Sequence, residues 1–289
     1  MSNWVIKDAC VETLAPLTDL RASFELRTGG LTTLERLTNQ FGTSPSGFVC
    51  DDDQRASLIS IRTGLPRCND ATEVDHPEFC HPWDLLTHLP TLLERDLNEA
   101  LPLQVCHADH IVGKNRIDVH ETAVVMKGVV LDATLGAIRI ESGATIRPNA
   151  VLVGPCWIGK ESIVFEHALI KANTVIGPVC KVSGEIGGTI FQGFANKCHD
   201  GHLGDSVIGE WVNFGAGTTN SNVLNTYGDI IVKDLQGKRH KTERNYVGCF
   251  VGDHAKFAIN TRIMTGTIIG TGAMIASTTP PRTPTNRFA

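Results

Sequence analysis

Seven consecutive residues, Asn196, Lys197, Cys198, His199, Asp200, Gly201 and His202, bring together several side-chain types that do chemistry near neutral pH. Three readings are open. A metal site would draw on Cys198, His199, Asp200 and His202, but contiguous spacing lets few of these converge on one ion, and no second half-site follows. Two histidines on a surface loop would do no chemistry. The third reading is a general base, since an imidazole titrates near neutrality and accepts the proton of an attacking amine or hydroxyl. Such a base works best when a carboxylate fixes its tautomer, and Glu185 in the preceding part of the chain is the expected orienting group for His199. Cys198 reads as a small buried hydrophobe rather than as a covalent nucleophile.

The elements that must position this cluster show in a six-residue rhythm. Ile140, Ile146, Leu152, Ile158, Val164, Ile170, Ile176 and Val182 are spaced by sixes, and the count resumes as Val251, Phe257, Ile263, Ile269 and Ile275. Neither strict alternation nor a 3.6-residue helical stripe predicts this period, whereas a chain coiling as a triangular prism does. Each coil would bury its aliphatic residues only against its neighbours, so the stack is the unit of stability. A helical solenoid is excluded by Gly143, Gly154, Pro155, Gly159, Gly177 and Pro178, which would break its helices. The rhythm is interrupted between Val182 and Ile208 and again between Phe214 and Val251. Both interruptions are expected to be insertions that project from corners, and long loops of that kind often carry function.

The 289 residues suffice for one long domain or two ordinary ones, and 28 glycines with 6% aromatic residues suit a slender solenoid. A net charge of -5 leaves no basic footprint, so no nucleic-acid partner is expected. Lys238, Arg239, His240 and Lys241 read as a solvated loop. Nine scattered cysteines without a C-x-x-C pair suit reduced thiols. The start MSNWVIKDAC lacks the charged and apolar parts of a signal peptide, and no apolar run is long enough to span a bilayer, so a soluble cytoplasmic protein with no membrane partner is expected.

Before the repeats, WVIKD reads as a short buried strand. A helix is expected near Leu31 to Leu37, entered through Gly29, Gly30, Thr32 and Thr33. Residues Gly42 to Ser57 read as a turn or strand end. Leucines at helical spacing mark a helix over Pro82 to Leu101, which Pro90 is expected to split or kink. The strand-like QVCHADHIVG leads into the repeats, giving a small α/β domain over 1–106 and a β-helix over 107–289.

The run GGTIFQGFANKCHDGHLGDSVIGEWVNFGAGTTNSN resembles the acyltransferase half of the bifunctional uridyltransferase and acetyltransferase that makes UDP-N-acetylglucosamine. It is closer still to the related sugar nucleotidyltransferase-like proteins with a hexapeptide-repeat tail. The resemblance implies a mainly β fold, a left-handed parallel β-helix, and a homotrimer with sites between subunits. It implies His199 as the catalytic base, Glu185 as its orienting carboxylate, and Asn213 and Asn222 as residues that hold the amino sugar and the acyl group. Asn196, Lys197 and His202 fall beside them as substrate-binding candidates. Ala216, Asn260 and Ser277 fall where acyl-coenzyme A is held along the groove between coils. The family's basic residues for the acceptor phosphate fall on Leu169 and Gly187, with Lys171 nearby, and its active-site tyrosine falls on His202, which points to a changed acceptor.

The N-terminal stretches PLTDLRASFELRTGGLTTLERL and HPWDLLTHLPTLLERDL resemble the start and end of the nucleotidyltransferase domain in the same proteins. There the first stretch supplies basic residues for nucleotide phosphates, here Arg21 and Arg27, but the G-x-G-T-R loop is absent. About a hundred residues are roughly a minimal domain. The acidic run Asp51 to Asp53 is the only dense group for magnesium, which would be needed only if this domain were active. The expectation is therefore an acyltransferase that moves an acyl group, in the first place acetyl, from acyl-coenzyme A to an amine or hydroxyl of a sugar-like acceptor. A trimeric scaffold or ligand-binding module without turnover is the alternative, and residual nucleotidyl transfer through a shortened domain is a third.

Overall fold

The computed structural model describes residues 4–68, 79–103, 110–277 and 279–289. From His110 onward the chain coils into a parallel β-solenoid with three faces. The first face stacks eight strands, from Ile117–Val119 to Thr267–Ile269, and the second stacks eight, from Val124–Val125 to Met274–Ile275. The third stacks six, from His110–Gly113 to His202–Gly204, and its direction is continued by the paired strands Thr219–Asn220 and Arg262–Ile263. Successive strand residues point to opposite sides, so each two- or three-residue strand sends an aliphatic side chain inward. The residues spaced by sixes are these inward side chains. All are buried in one continuous core except Ile275, which is partly exposed at the end of the stack.

The slip after Val182 is a shortened coil, which corrects the expectation of an inserted loop. Val164 pairs with Val182, eighteen residues on, whereas Val182 pairs with Lys197, only fifteen on. The residues are lost between strands, and Glu185–Gly187, Ile190–Phe191 and Asn196–Lys197 still join the three sheets. Stacking needs register between neighbouring strands and tolerates unequal spacing between them. One consequence is that Lys197 occupies an inward position that elsewhere holds an aliphatic residue.

The second interruption is a true excursion. The chain leaves after Asn220, forms an antiparallel hairpin from Ile231–Lys233 and Arg239–Lys241, and returns as Cys249–Val251. It folds back onto the body rather than projecting, since Ile230, Val232 and Val247 are buried in a core shared with the first face. The basic cluster lies on the hairpin, with Arg239–Lys241 a strand rather than a loop, and Lys238, Arg239 and Lys241 are solvent-exposed as expected. His240 places Nε2 2.7 Å from Asp234 and packs its ring against His81 and Trp83.

The N-terminal residues supply strand β1, Val5–Lys7, paired in parallel with β2, Gly47–Val49. Helix α1, Thr33–Phe41, starts at Thr32, whose hydroxyl accepts from Glu35 N while the Glu35 carboxylate accepts from Thr32 N. Helix α2, Asp53–Thr63, stands where part of a turn was expected, started by the Asp52 side chain accepting from Arg55 N. Helix α3, Pro82–Glu99, runs through Pro90 without a break. Its buried Leu85, Leu86, Leu89, Leu93 and Leu97 lie in one core with Trp157, Val175, Ile190, Val207, Phe250 and Ile268, the outward side chains of the first face. Burying each such side chain is worth about 1.5–3 kcal/mol, which together outweighs the roughly 3 kcal/mol cost of an internal proline.

The glycine pair before α1 serves this docking. A Cβ on Gly30 would lie 2.1 Å from the Trp157 ring, and one on Gly29 would lie 2.4 Å from Asp96 Oδ2. The boundary expected between 106 and 107 lies outside the described residues. Among the described residues no helix is long and apolar enough to cross a membrane.

Candidate functional site

The third face carries a cluster of ionisable side chains on consecutive coils. Glu185 and His202 are strand partners, directly opposite in the parallel pairing of Glu185–Gly187 with His202–Gly204. Glu185 Oε1 accepts a hydrogen bond from Lys171 Nζ at 3.2 Å and lies 3.4 Å from His202 Nδ1. Two residues past His202, its strand ends at the tight approach of Gly204, where a Cβ would meet His202 Nε2 at 2.6 Å and Asn222 Nδ2 at 2.7 Å. Asn222 donates to Asp205 Oδ2 at 2.7 Å. Burial pushes the Asp205 carboxyl above its ordinary range, against the lowering influence of Asn222, Arg244, His202 and Lys171. The result is a carboxylate-oriented imidazole beside an amide whose own orientation is fixed by a second carboxylate.

His199 lies on the corner between the second and third faces. Its ring is exposed and has no hydrogen-bond or ion-pair partner among the described residues. The expected Glu185–His199 contact is therefore replaced by Glu185–His202. The reason is stacking: register places Glu185 opposite His202, three residues past His199, and the corner turns the His199 ring outward. Burial raises the Cys198 thiol above its ordinary range, which disfavours its thiolate.

The remaining expected residues divide between this edge and the second face. Asn196 and Asn213 pair on the second face, between Lys181 and Lys256. Ala216, Asn260 and Ser277 each follow a second-face strand in three successive coils, on the same edge as His199. Asn260 N donates to Ala216 O at 2.7 Å, and Asn260 takes a left-handed φ of 57° that the corner requires. Ser277 Oγ accepts from Thr279 N. Lys197 departs from the expectation that it binds substrate. Its side chain is interior, 2% exposed, and its Nζ donates to backbone carbonyls.

The N-terminal basic residues are also used otherwise than expected. Arg21 is 1% exposed and joins Glu210 and Asp253 of the solenoid. Arg27 bonds Gly30 O and exchanges backbone hydrogen bonds with the Gln192 side chain at 2.7 and 3.0 Å. These contacts fasten the N-terminal region to the first face and leave Arg21 unable to reach a nucleotide phosphate. The acidic run is likewise engaged, Asp52 in capping α2 and Asp53 in pairing with Arg67. Among the described residues no group of three or more His, Cys, Asp or Glu side chains is placed to hold a metal ion.

The Glu185–His202 pairing carried no motif of its own. Counting on from the pairing of Val182 with Lys197 would bring Asp200 opposite Glu185, and the two further residues at the corner bring His202 there instead.

No family model matches the chain. It is 31% identical over 170 residues to a bifunctional sugar-1-phosphate nucleotidylyltransferase/acetyltransferase of Sulfurisphaera tokodaii, covering 58% of this chain and 40% of that protein. It is 31% identical over 208 residues to the bifunctional protein GlmU of Methanococcus maripaludis strain C5, covering 68% of this chain and 42% of that protein. Among solved structures, the acetyltransferase domain of PglB from Neisseria gonorrhoeae in complex with acetyl coenzyme A is 12% identical, with 94% and 98% of the two chains covered. Its TM-score is 0.25, a likeness too slight to bear on fold or function. The chain is thus similar in sequence to the bifunctional sugar-1-phosphate nucleotidylyltransferase/acetyltransferases and spans about two fifths of the length of these relatives.

Proposed function

We propose that this protein is an acyltransferase that moves an acyl group, in the first place acetyl, from acyl-coenzyme A to an amine or hydroxyl of a sugar-like acceptor. The observation that carries the reading is the Glu185–His202 pair on the third face, one corner away from the edge that holds His199, Ala216, Asn260 and Ser277. With Nδ1 turned toward the carboxylate, His202 Nε2 is the free acceptor for a proton. The acceptor's nucleophilic atom forms its bond to the thioester carbonyl carbon as Nε2 takes its proton. The carbon–sulfur bond then breaks, and the sulfur leaves as the thiol of coenzyme A, taking that proton. Asn222, held by Asp205, is placed to donate to the acceptor or to the carbonyl oxygen on which charge develops.

The thioester's carrier would run along the edge past Ala216, Asn260 and Ser277. Asn196 and Asn213 face outward on the adjoining second face, where a neighbouring subunit of a homotrimer would complete the groove. The exposed, unpaired ring of His199 on that same edge is the observation that favours a second reading, in which His199 is the base. The N-terminal region is proposed as a packing element, because Arg21 is consumed in the contact with the solenoid. The test is release of coenzyme A thiol from acetyl-coenzyme A with a panel of amino-sugar nucleotides, comparing H202A with H199A. Loss in H202A supports the pair on the third face, loss only in H199A supports the second reading, and no turnover by the unaltered protein removes both.

A further inference from the structure

Lys197 is an ammonium in the interior of the solenoid, in the second-face position that holds Val182 in the preceding coil. Its Nζ donates to Ser183 O at 3.2 Å, His199 O at 2.8 Å and Asp200 O at 3.3 Å. No carboxylate pairs with it among the described residues. The three carbonyls come from two consecutive corners. Ser183 O lies two residues before Glu185, and His199 O and Asp200 O lie three and two residues before His202. We propose that Lys197 is a positioning residue whose amine clamps these two corners together and thereby sets Glu185 opposite His202.

The corners themselves cannot supply this hold. They pass through Gly184 at a φ of +78° and Gly201 at +116°. A Cβ on Gly184 would lie 2.6 Å from Gly201 O and 3.0 Å from Lys197 Nζ, so the backbones approach closely around the amine. Glycine in the left-handed region has the greatest freedom to lose, and the direct hydrogen bond across the two corners, Glu185 N to Gly201 O, is 3.3 Å long. An ammonium has three N–H donors in tetrahedral directions and meets three carbonyl oxygens here. Loss of its proton leaves two donors and a lone pair facing the third carbonyl, so the clamp loosens on deprotonation.

Burial pushes the Lys197 pKa down to about 8, with Asp200 and Cys198 acting in the opposite sense. Those two are the titratable groups that face it, both on its own corner. The adjoining coils present Val182, the Ser183 and Gly184 backbone, and Phe214, which follows the paired Asn213. The clamp therefore changes state within the range in which an acyltransferase is assayed.

This inference rests on the acyltransferase reading for its consequence in catalysis, and not for its geometry. The test follows the side-chain resonances of Lys197 and the ring resonances of His202 in isotope-labelled protein from pH 6 to 10. In the unaltered protein both sets should move through a shared inflection near pH 8. In K197M the His202 inflection near that pH should vanish, and amide exchange at Glu185 and His202 should rise about tenfold or more. The rate of transfer at saturation should fall by about tenfold or more with the KM for acetyl-coenzyme A little changed. His202 resonances that ignore the Lys197 titration overturn the proposal, as does K197M with unaltered exchange and His202 behaviour. If K197M does not fold, the unaltered protein's titration decides alone. Absence of turnover in the unaltered protein removes the acyltransferase reading, while the resonances still judge the clamp.

Discussion

His202 Nδ1 lies 3.4 Å from Glu185 Oε1, across two strands of consecutive coils that pair residue for residue. A carboxylate at that nitrogen leaves the other one free for proton transfer, and Lys171 holds the same carboxylate oxygen from the preceding coil. H202A should therefore lower the rate of acetyl transfer by about a hundredfold or more, the usual contribution of a general base. E185Q keeps the shape of the side chain and should lower it less, with KM nearly unchanged. Steady-state assays with acetyl-coenzyme A decide, and full activity in H202A would sink the assignment.

The buried amine of Lys197 gives stability a pH dependence of definite sign. Its pKa is lowered to about 8 in the folded protein from 10.5 when solvated. Between these values the unfolded chain binds more protons, so stability rises with pH through that window. Below pH 8 the buried charge costs its full amount, about 3 kcal/mol from the size of the shift. K197M, which has no such charge, should lack this alkaline gain. Urea unfolding at pH 7 and at pH 10 checks this, and equal pH dependence in the two proteins would contradict it.

Arg21 is the buried link between the N-terminal region and the solenoid. R21A strands Asp253, itself 2% exposed, beside Glu210, and should destabilise the protein by about 3–5 kcal/mol. Asp253 also accepts from Glu210 N at 2.7 Å, so the loss should reach into the solenoid corner. Thermal unfolding reads the effect. A near-neutral R21A, or binding of a nucleoside triphosphate that R21A abolishes, would restore Arg21 to a ligand-binding role.

Gly30 faces the Trp157 ring with no room for a methyl group. G30A should cost about 1–3 kcal/mol through overpacking where the N-terminal region meets the first face. The cost should appear as easier exposure of Trp157, read by its fluorescence in urea. A variant as stable as the unaltered protein would show that this contact yields freely.

The architecture was legible because a solenoid repeats one local rule. Each strand needs one inward aliphatic side chain, and Ile140 through Val182 declare that need every sixth residue. The helix starting at Thr32 was legible from the local run of Gly29, Gly30, Thr32 and Thr33, and the fold adds the Glu35 carboxylate that accepts from Thr32 N. Helix α2 was obscured by a dense acidic start that resembles a turn, and α3 continues unbroken through Pro90, its leucines burying against residues more than fifty positions away.

Site chemistry was only partly a local matter. The sequence alone placed the reactive types, Glu185, Lys197, His199, His202 and Asn222, within one short reach of repeats. Which imidazole meets the carboxylate, and whether a lysine points out to a substrate or in to a carbonyl cage, depended on the length of a single coil. The spacing between paired residues is fifteen from Val182 to Lys197 and seventeen from Glu185 to His202, so the partner of Glu185 is set by the register between coils, a property of the folded chain.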